Sequence, residues 1–203
     1  MTGIKRTYGD VNVDVAKRWF GDRDGDGPIW MINLMKYREV AAYDDPDAPK
    51  ISGEQADDVY APVDVLARLG ARVAYLGKVE RQLEGSPEWD RIAIVRYPDR
   101  MSFLTMEQRD DFKERHVHKE AGMEFTILVG GLPEGEAVEA PVGGSYVMRV
   151  RRFAPGAERP VDPAGVTPVV RFSSDGTIVG DGRSYDEVTF DLVDSDEVLS
   201  SLL

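Results

Sequence analysis

The sequence predicts an α+β fold, and three observations carry that expectation. Short apolar runs of strand length, IWMINLMKY (29–37) and EFTILVGG (124–131), are bounded by turn residues. Two intervening stretches carry apolar residues at helical spacing, with cap signals at their ends. Taken in order, the elements read β-α-β-β-α-β. That is the ferredoxin-like arrangement, two split βαβ units forming a four-stranded antiparallel sheet with helices on one face.

DVNVDVAKRWF, 10–20, reads as a short helix with Asp10 as its N-cap. In the strand at 29–37, alternation puts Trp30, Ile32 and Leu34 on one face and Met31, Asn33, Met35 and Tyr37 on the other. Residues 41–51, with Pro46, Pro49 and several aspartates, form a loop. Ser52 and Gln55 then make a capping box. Ala56, Val59, Val63 and Leu66 recur at helical spacing, Pro62 kinks the helix, and Gly70 stops it. RVAYLGKVERQL (72–83) and DRIAIVRYP (90–98) form a hairpin across GSPEW. Asp99 caps a helix bearing Met101, Phe103, Leu104 and Met106, which continues in more polar form to about Ala121 and ends at Gly122 before the strand at 124–131.

GLPEGEAVEAPVGG, 131–144, reads as a linker, after which the chain repeats itself in reduced form. YVMRVRRF parallels WMINLMKY, and at one constant offset Trp89 matches Tyr185, Asp90 matches Asp186, Ile92 matches Val188 and Ile94 matches Phe190. A Pro-rich loop, APGAERPVDPAGV, replaces the first helix, and the fourth strand is missing. The expected organisation is an N-terminal helix and acidic loop (1–28), a ferredoxin-like domain (29–131), a linker (132–144) and a truncated second repeat (145–203). That repeat would supply a second sheet to cover the apolar face left by the first.

Hydrophobic residues make up 42% of the 203 residues and charged residues 31%, the composition of a soluble globular protein. A net charge of −12 argues against nucleic acid and anionic membranes as partners, since both need a basic footprint. The basic run MRVRR (148–152) is then one charged face of a strand. The chain has no cysteine, so disulfides, thiolate catalysis and cysteine-ligated zinc are excluded. With no signal-peptide pattern and no run of ~18 apolar residues, a cytoplasmic protein is expected. Phosphate-loop, dinucleotide, G-x-S-x-G and H-E-x-x-H motifs are absent, and no cofactor is called for.

The stretch from Trp30 to Gly131 resembles the dimeric α/β-barrel superfamily and, within it, the family called domain of unknown function 1330. The resemblance rests on MINLMKY, on LARLGARV after a Pro-containing helix, on LGKVERQLEG leading to EWDRIAIVRYPDRMSFL, and on a histidine in HKEAGMEFTIL. It implies the barrel fold and a role for His118. It does not choose a chemistry, because the superfamily includes cofactor-independent monooxygenases, isomerases, cyclases and haem binders. Single-domain relatives need a partner subunit to close the barrel. This chain is expected to be either a monomer with an internal pseudo-dimer or a homodimer.

GDRDGDGPIWMIN, 21–33, has the look of a calcium loop, with Asp22, Asp24 and Asp26 at alternate positions. A working loop needs a bidentate glutamate at its twelfth position and a helix after it; Asn33 stands there, inside a strand. It reads instead as an acidic turn.

The two histidines, His116 and His118, are the natural acid–base groups near neutral pH. Two apart on a helix, they point to different sides and do not chelate one metal. His118 is the candidate catalytic residue and His116 a residue of a solvated helix end. Arg91 is a candidate anion-pairing catalytic group. Asn33, Met35, Tyr37, Tyr75 and Trp89 are candidate substrate-binding residues, an apolar surface with a few polar handles. The expected function is cofactor-independent acid–base chemistry, of isomerase, cyclase or lyase type, on a small, largely apolar carbonyl or phenolic molecule. His118 would move the proton, and Arg91 or Asn33 would hold the developing oxyanion. Cofactor-free oxygenation of a phenol and non-catalytic binding of a small ligand are the alternatives. An enclosed cavity at His118 favours catalysis there. A wet helix end and a barrel filled by side chains count against it.

Overall fold

A computed structural model describes residues 6–22, 27–135, 144–200 and 202. Asp24 and Asp26 of the acidic turn lie outside the described residues, as does most of the expected linker. The elements run β1 (Asp10–Val11), α1 (Val13–Gly21), β2 (Ile29–Tyr37), α2 (Gly53–Tyr60), α3 (Val63–Arg68), β3 (Arg72–Lys78), β4 (Arg91–Tyr97), α4 (Arg100–Met106), α5 (Asp110–Gly122), β5 (Met123–Pro133), β6 (Ser145–Arg151), β7 (Val166–Gly180), β8 (Glu187–Val193) and α6 (Asp196–Ser200).

Local chemistry sets most of the boundaries. The capping box forms at α2, with Ser52 N donating to Gln55 Oε1 at 2.9 Å and Gln55 N to Ser52 Oγ at 3.1 Å. Pro62 lacks the N–H that would continue the helix, and the chain breaks there into α2 and α3. Asp99 caps α4 through Ser102 N at 2.6 Å. Three details differ from the sequence expectation. Asn12, not Asp10, caps α1 by accepting from Val15 N at 3.2 Å, because Asp10 pairs with Gly180 in the sheet. The single long helix after Asp99 is two, since Asp110 and Asp111 favour a fresh helix N-terminus. β3 ends at Lys78, where Val79 N turns to Asp90 O at 2.9 Å.

All the strands belong to one antiparallel sheet in the order β3-β4-β2-β5-β7-β8-β6, with β1 added to β7. Two separate sheets were expected. They are one because β7 is long enough to pair with β5 through its C-terminal half and with β8 through its N-terminal half. The sheet curls until its two ends meet. Tyr75 of β3 lies 4.5 Å from Phe190 of β8 and 6.5 Å from Tyr146 of β6, ring centre to ring centre.

The strand alternation of β2 separates two cores. Trp30, Ile32 and Leu34 enter the interior of the curl, where they meet Ile127, Phe172 and Val188. Met31, Met35 and Tyr37 face the helices, together with Trp19 of α1. Gly130 and Gly131 let aromatics approach the backbone on opposite faces. A Cβ on Gly130 would meet Trp19 at 2.5 Å, and one on Gly131 would meet Ile32 at 2.7 Å and Phe172 at 3.0 Å.

β6, β8 and β7 reproduce the pairing of β2, β4 and β3. Met35 stands opposite Arg91 and Arg151 opposite Glu187, while Ile32 faces Ile94 and Met148 faces Phe190. The register shifts between Val73 and Tyr75 in one half and between Pro168 and Val170 in the other. Asp90 brackets the end of β2, its N–H donating to Met35 O at 2.8 Å and its Oδ2 accepting from Tyr37 N at 2.7 Å. Asp186 does the same to the end of β6, with Arg151 O at 2.9 Å and Phe153 N at 2.7 Å. A hydrogen bond to a carboxylate contributes about 1.5–3 kcal/mol. Asp186→Ala is therefore expected to destabilise the whole chain by about that amount in a denaturant titration monitored by tryptophan fluorescence. Trp19, Trp30 and Trp89 all lie in the other half, so their signal reports whether the halves unfold together.

Candidate active site

A cavity of about 160 Å³ lies between the helix face of the sheet and helices α2 to α5. Met31, Met35, Leu66, Val95 and Phe103 supply apolar wall, and Val63, Val73 and Leu76, all exposed, stand at its rim. Its polar groups come from the N-terminal segment, from α2, from α5 and from strands β2, β4 and β5, with Glu107 beside them.

Helix α5 reaches the cavity through Phe112, His116 and Lys119. Their spacing of four and three residues puts them on one face. Gly122 sets how closely α5 approaches α2: a Cβ there would meet Gly53 O at 2.5 Å and Ala56 Cβ at 2.9 Å. His116 is 4% exposed, and its Nε2 lies 3.2 Å from Tyr8 Oη. The ring is flanked by Phe112 and, edge-on, by Tyr60. Lys119 Nζ sits 5.0 Å from the centre of the Tyr60 ring. Among the described residues it has no carboxylate within ion-pair distance. Burial lowers its pKa from the ordinary lysine value, and Asp57 opposes that shift. Glu107 is pushed up by burial, with its ion-pair partner Arg6 opposing, and burial raises the Tyr8 and Tyr97 phenols.

His118 is not in this cavity. It lies on the other side of α5, its Nδ1 2.8 Å from Tyr43 Oη, in an open groove with Asp44, Asp45 and Lys113. His116, read from the sequence as a solvated residue, is the buried one. The reason is helical phase: Phe112 anchors α5 against the core, and the positions four and seven residues later share its side.

Arg91 lines the cavity, but its guanidinium is committed. NH1 donates to Asp58 at 2.8 Å and to Asp57 at 3.3 Å, and NH2 donates to Glu54 at 2.8 Å. It ties α2 to β4. Asn33 also lines the cavity, with Nδ2 donating to Met31 O at 3.0 Å and Ala93 O at 3.4 Å, which uses the N–H groups an oxyanion would need. Met35 is an apolar wall. Tyr37 lies beneath, its hydroxyl donating to Asp57 Oδ2 at 2.6 Å, and burial followed by Asp57 raises its pKa. Tyr75 and Trp89 are elsewhere. The first is inside the curl, moved there by the β3 register shift, and the second stacks on Phe125 at 5.7 Å. Lys119 and Tyr8 were not anticipated. The Phe112, His116, Lys119 spacing could have indicated the first, but nothing near Tyr8 in the sequence links it to α5.

Together these features define an α+β protein with a curled antiparallel sheet and a small cavity on its helix face. Two crystal structures of RPA0582, a protein of unknown function from Rhodopseudomonas palustris, are similar to it. One is 30% identical, covering 64% of this chain and 95% of that one, with a TM-score of 0.52. The other, of methylated RPA0582, is 32% identical, covering 67% of this chain and 100% of that one, with a TM-score of 0.54. The chain therefore belongs to the RPA0582 family. No family model and no curated protein matches it. No helix among the described residues is long and apolar enough to cross a membrane.

Arg91 and Asp57 have side chains only 9% and 10% exposed, so removing the cation strands a buried charge. Arg91→Ala is expected to cost about 3–5 kcal/mol in chemical denaturation, with Arg91→Lys recovering part of it. Unchanged stability in Arg91→Ala would return Arg91 to the list of ligand-facing groups.

Proposed function

We propose that this chain is a dimeric α/β-barrel protein of ferredoxin-like type, related to the family called domain of unknown function 1330, whose reduced second copy closes the barrel within one chain. The strand order β3-β4-β2-β5 and the matched registers of the two halves support that reading. Its function is acid–base chemistry on a small, largely apolar carbonyl compound, held on the helix face and not inside the barrel.

The observation that carries this reading is His116, the residue in the cavity suited to exchanging protons near neutral pH, buried beside Tyr8. The cavity volume is close to the about 150 Å³ of an engineered apolar cavity that binds benzene, so its occupant is a single ring or a short branched chain. His116 removes a proton from the carbon beside the carbonyl, and Tyr8 orients the imidazole. Isomerisation, cyclisation and elimination all begin with that step.

The reading is tested with cyclohexanone in heavy water, following loss of its α-proton signal by nuclear magnetic resonance. The protein is expected to accelerate the exchange. His116→Gln should cost about 10²–10⁴-fold in rate, and His118→Gln should leave it nearly unchanged. Dependence on His118 instead would move the site to the open groove. No acceleration, with cyclohexanone still bound, would make the protein a ligand carrier.

A further inference from the structure

We propose that Lys119 is a covalent site, its ε-amine condensing with the carbonyl of a small aldehyde or ketone to form a Schiff base in the helix-face cavity. The inference rests on the acid–base reading above and names the group that takes up the charge. Deprotonation beside a carbonyl puts negative charge on the carbonyl oxygen, which needs a hydrogen-bond donor or a cation. The two groups first suited to that task, Arg91 and Asn33, are both committed within the fold. Arg6 is paired with Glu107. Of the cations on the lining, that leaves Lys119, one turn after His116 on the same helix face, its Nζ over the Tyr60 ring and with no ion-pair partner among the described residues.

An amine so placed has two uses. As an ammonium it would be a counter-ion for a ligand carboxylate. As a free amine it is a nucleophile. Burial favours the second, because it disfavours the charged form; Asp57 and Glu107 oppose it, and the Lys119 pKa still lies below the ordinary lysine value. The step balances without an outside reagent. The Lys119 nitrogen attacks the carbonyl carbon, and His116 carries a proton from that nitrogen to the oxygen. The carbinolamine hydroxyl takes a second proton, drawn from solvent through His116, and leaves as water, which gives the protonated imine. The iminium draws in the electron pair released at the neighbouring carbon, so no separate oxyanion site is required.

The test uses the full chain with benzaldehyde and sodium borohydride, read by intact mass and peptide mapping. One benzyl group is expected on Lys119 at aldehyde concentrations that leave Lys17, Lys50 and Lys113 unlabelled. The labelling rate should rise with pH to a midpoint below the ordinary lysine value of about 10.4. His116→Gln should slow the labelling, and Lys119→Arg should abolish it while keeping the charge and the fold, checked by circular dichroism. Labelling spread over the lysines according to exposure overturns the proposal. So does benzoate binding that survives in Lys119→Arg with no adduct in the parent protein, which would make Lys119 a carboxylate receptor. If cyclohexanone exchange persists in Lys119→Arg without any adduct, the Schiff base is wrong and the acid–base reading stands. If exchange and adduct are both absent, both readings fall.

Discussion

The rest of the structure depends on β5 being paired on both edges. One edge bonds to β2 through the run from Trp30 opposite Gly131 to Tyr37 opposite Met123, and the other bonds to β7. Left alone, the second edge would expose unpaired N–H and C=O groups beside a strongly apolar surface, a template for aggregation. Pairing with β7 satisfies those groups. It also carries the second half of the chain around to cover Ile32, Ile127 and Val129, which are fully buried. The N-terminal segment then joins the same seam: β1 pairs with β7, and Trp19 donates to Asp175 O at 3.1 Å.

That closure fills the interior of the curl. Phe172, Val188 and Phe190 from the second half fill it, and the Tyr75, Tyr146 and Phe190 rings seal the gap between the sheet ends. On the opposite face the covering is uneven. In the first half, helices stand over β2, β4 and β5 and leave a cavity. In the second half, the same face of β8 carries Glu187 and Asp191, fully buried and neutralised by Arg151, Arg171 and Arg149. A Pro-rich loop contributes Asp162, which bonds to Arg149 and Arg171 at 2.8 and 2.6 Å. Where the first half keeps space under helices, the second fills it with ion pairs. Buried ion pairs specify geometry more than they add stability. Their value here lies in holding that sheet face in one register.

The cavity is held by a fixed frame on most sides. Arg91 locks α2 to β4 through three carboxylates, and α5 presses on α2 through Gly53, Gly122 and Ala56. His116 and Lys119 are therefore presented by a helix whose distance from α2 is set by backbone contact. Pre-organisation of this kind suits the proposed site, whose chemistry would depend on the placement of one imidazole and one amine.

The sequence by itself determined the order of the main elements from β2 to β5, both faces of β2, the α2 capping box and an interruption at Pro62, expected as a kink where the helix breaks in two. Each follows from local rules of period, capping and missing N–H groups. It also contained the matched pairing of the two halves, legible in Asp90 and Asp186 because a bracket across a strand end needs the same residue at the same offset. Only the tertiary structure decided the rest. It merged two expected sheets into one, because β7's reach past β8 to β5 is a long-range pairing that no local pattern announces. It moved Tyr75 to the far face through a one-residue shift in register, which reverses every side chain beyond it. It turned Arg91 from a ligand group into a strut, since three acids scattered along α2 converge only once that helix docks. And it exchanged the two histidines, because the rotation of α5 about its axis was set by where Phe112 found the core.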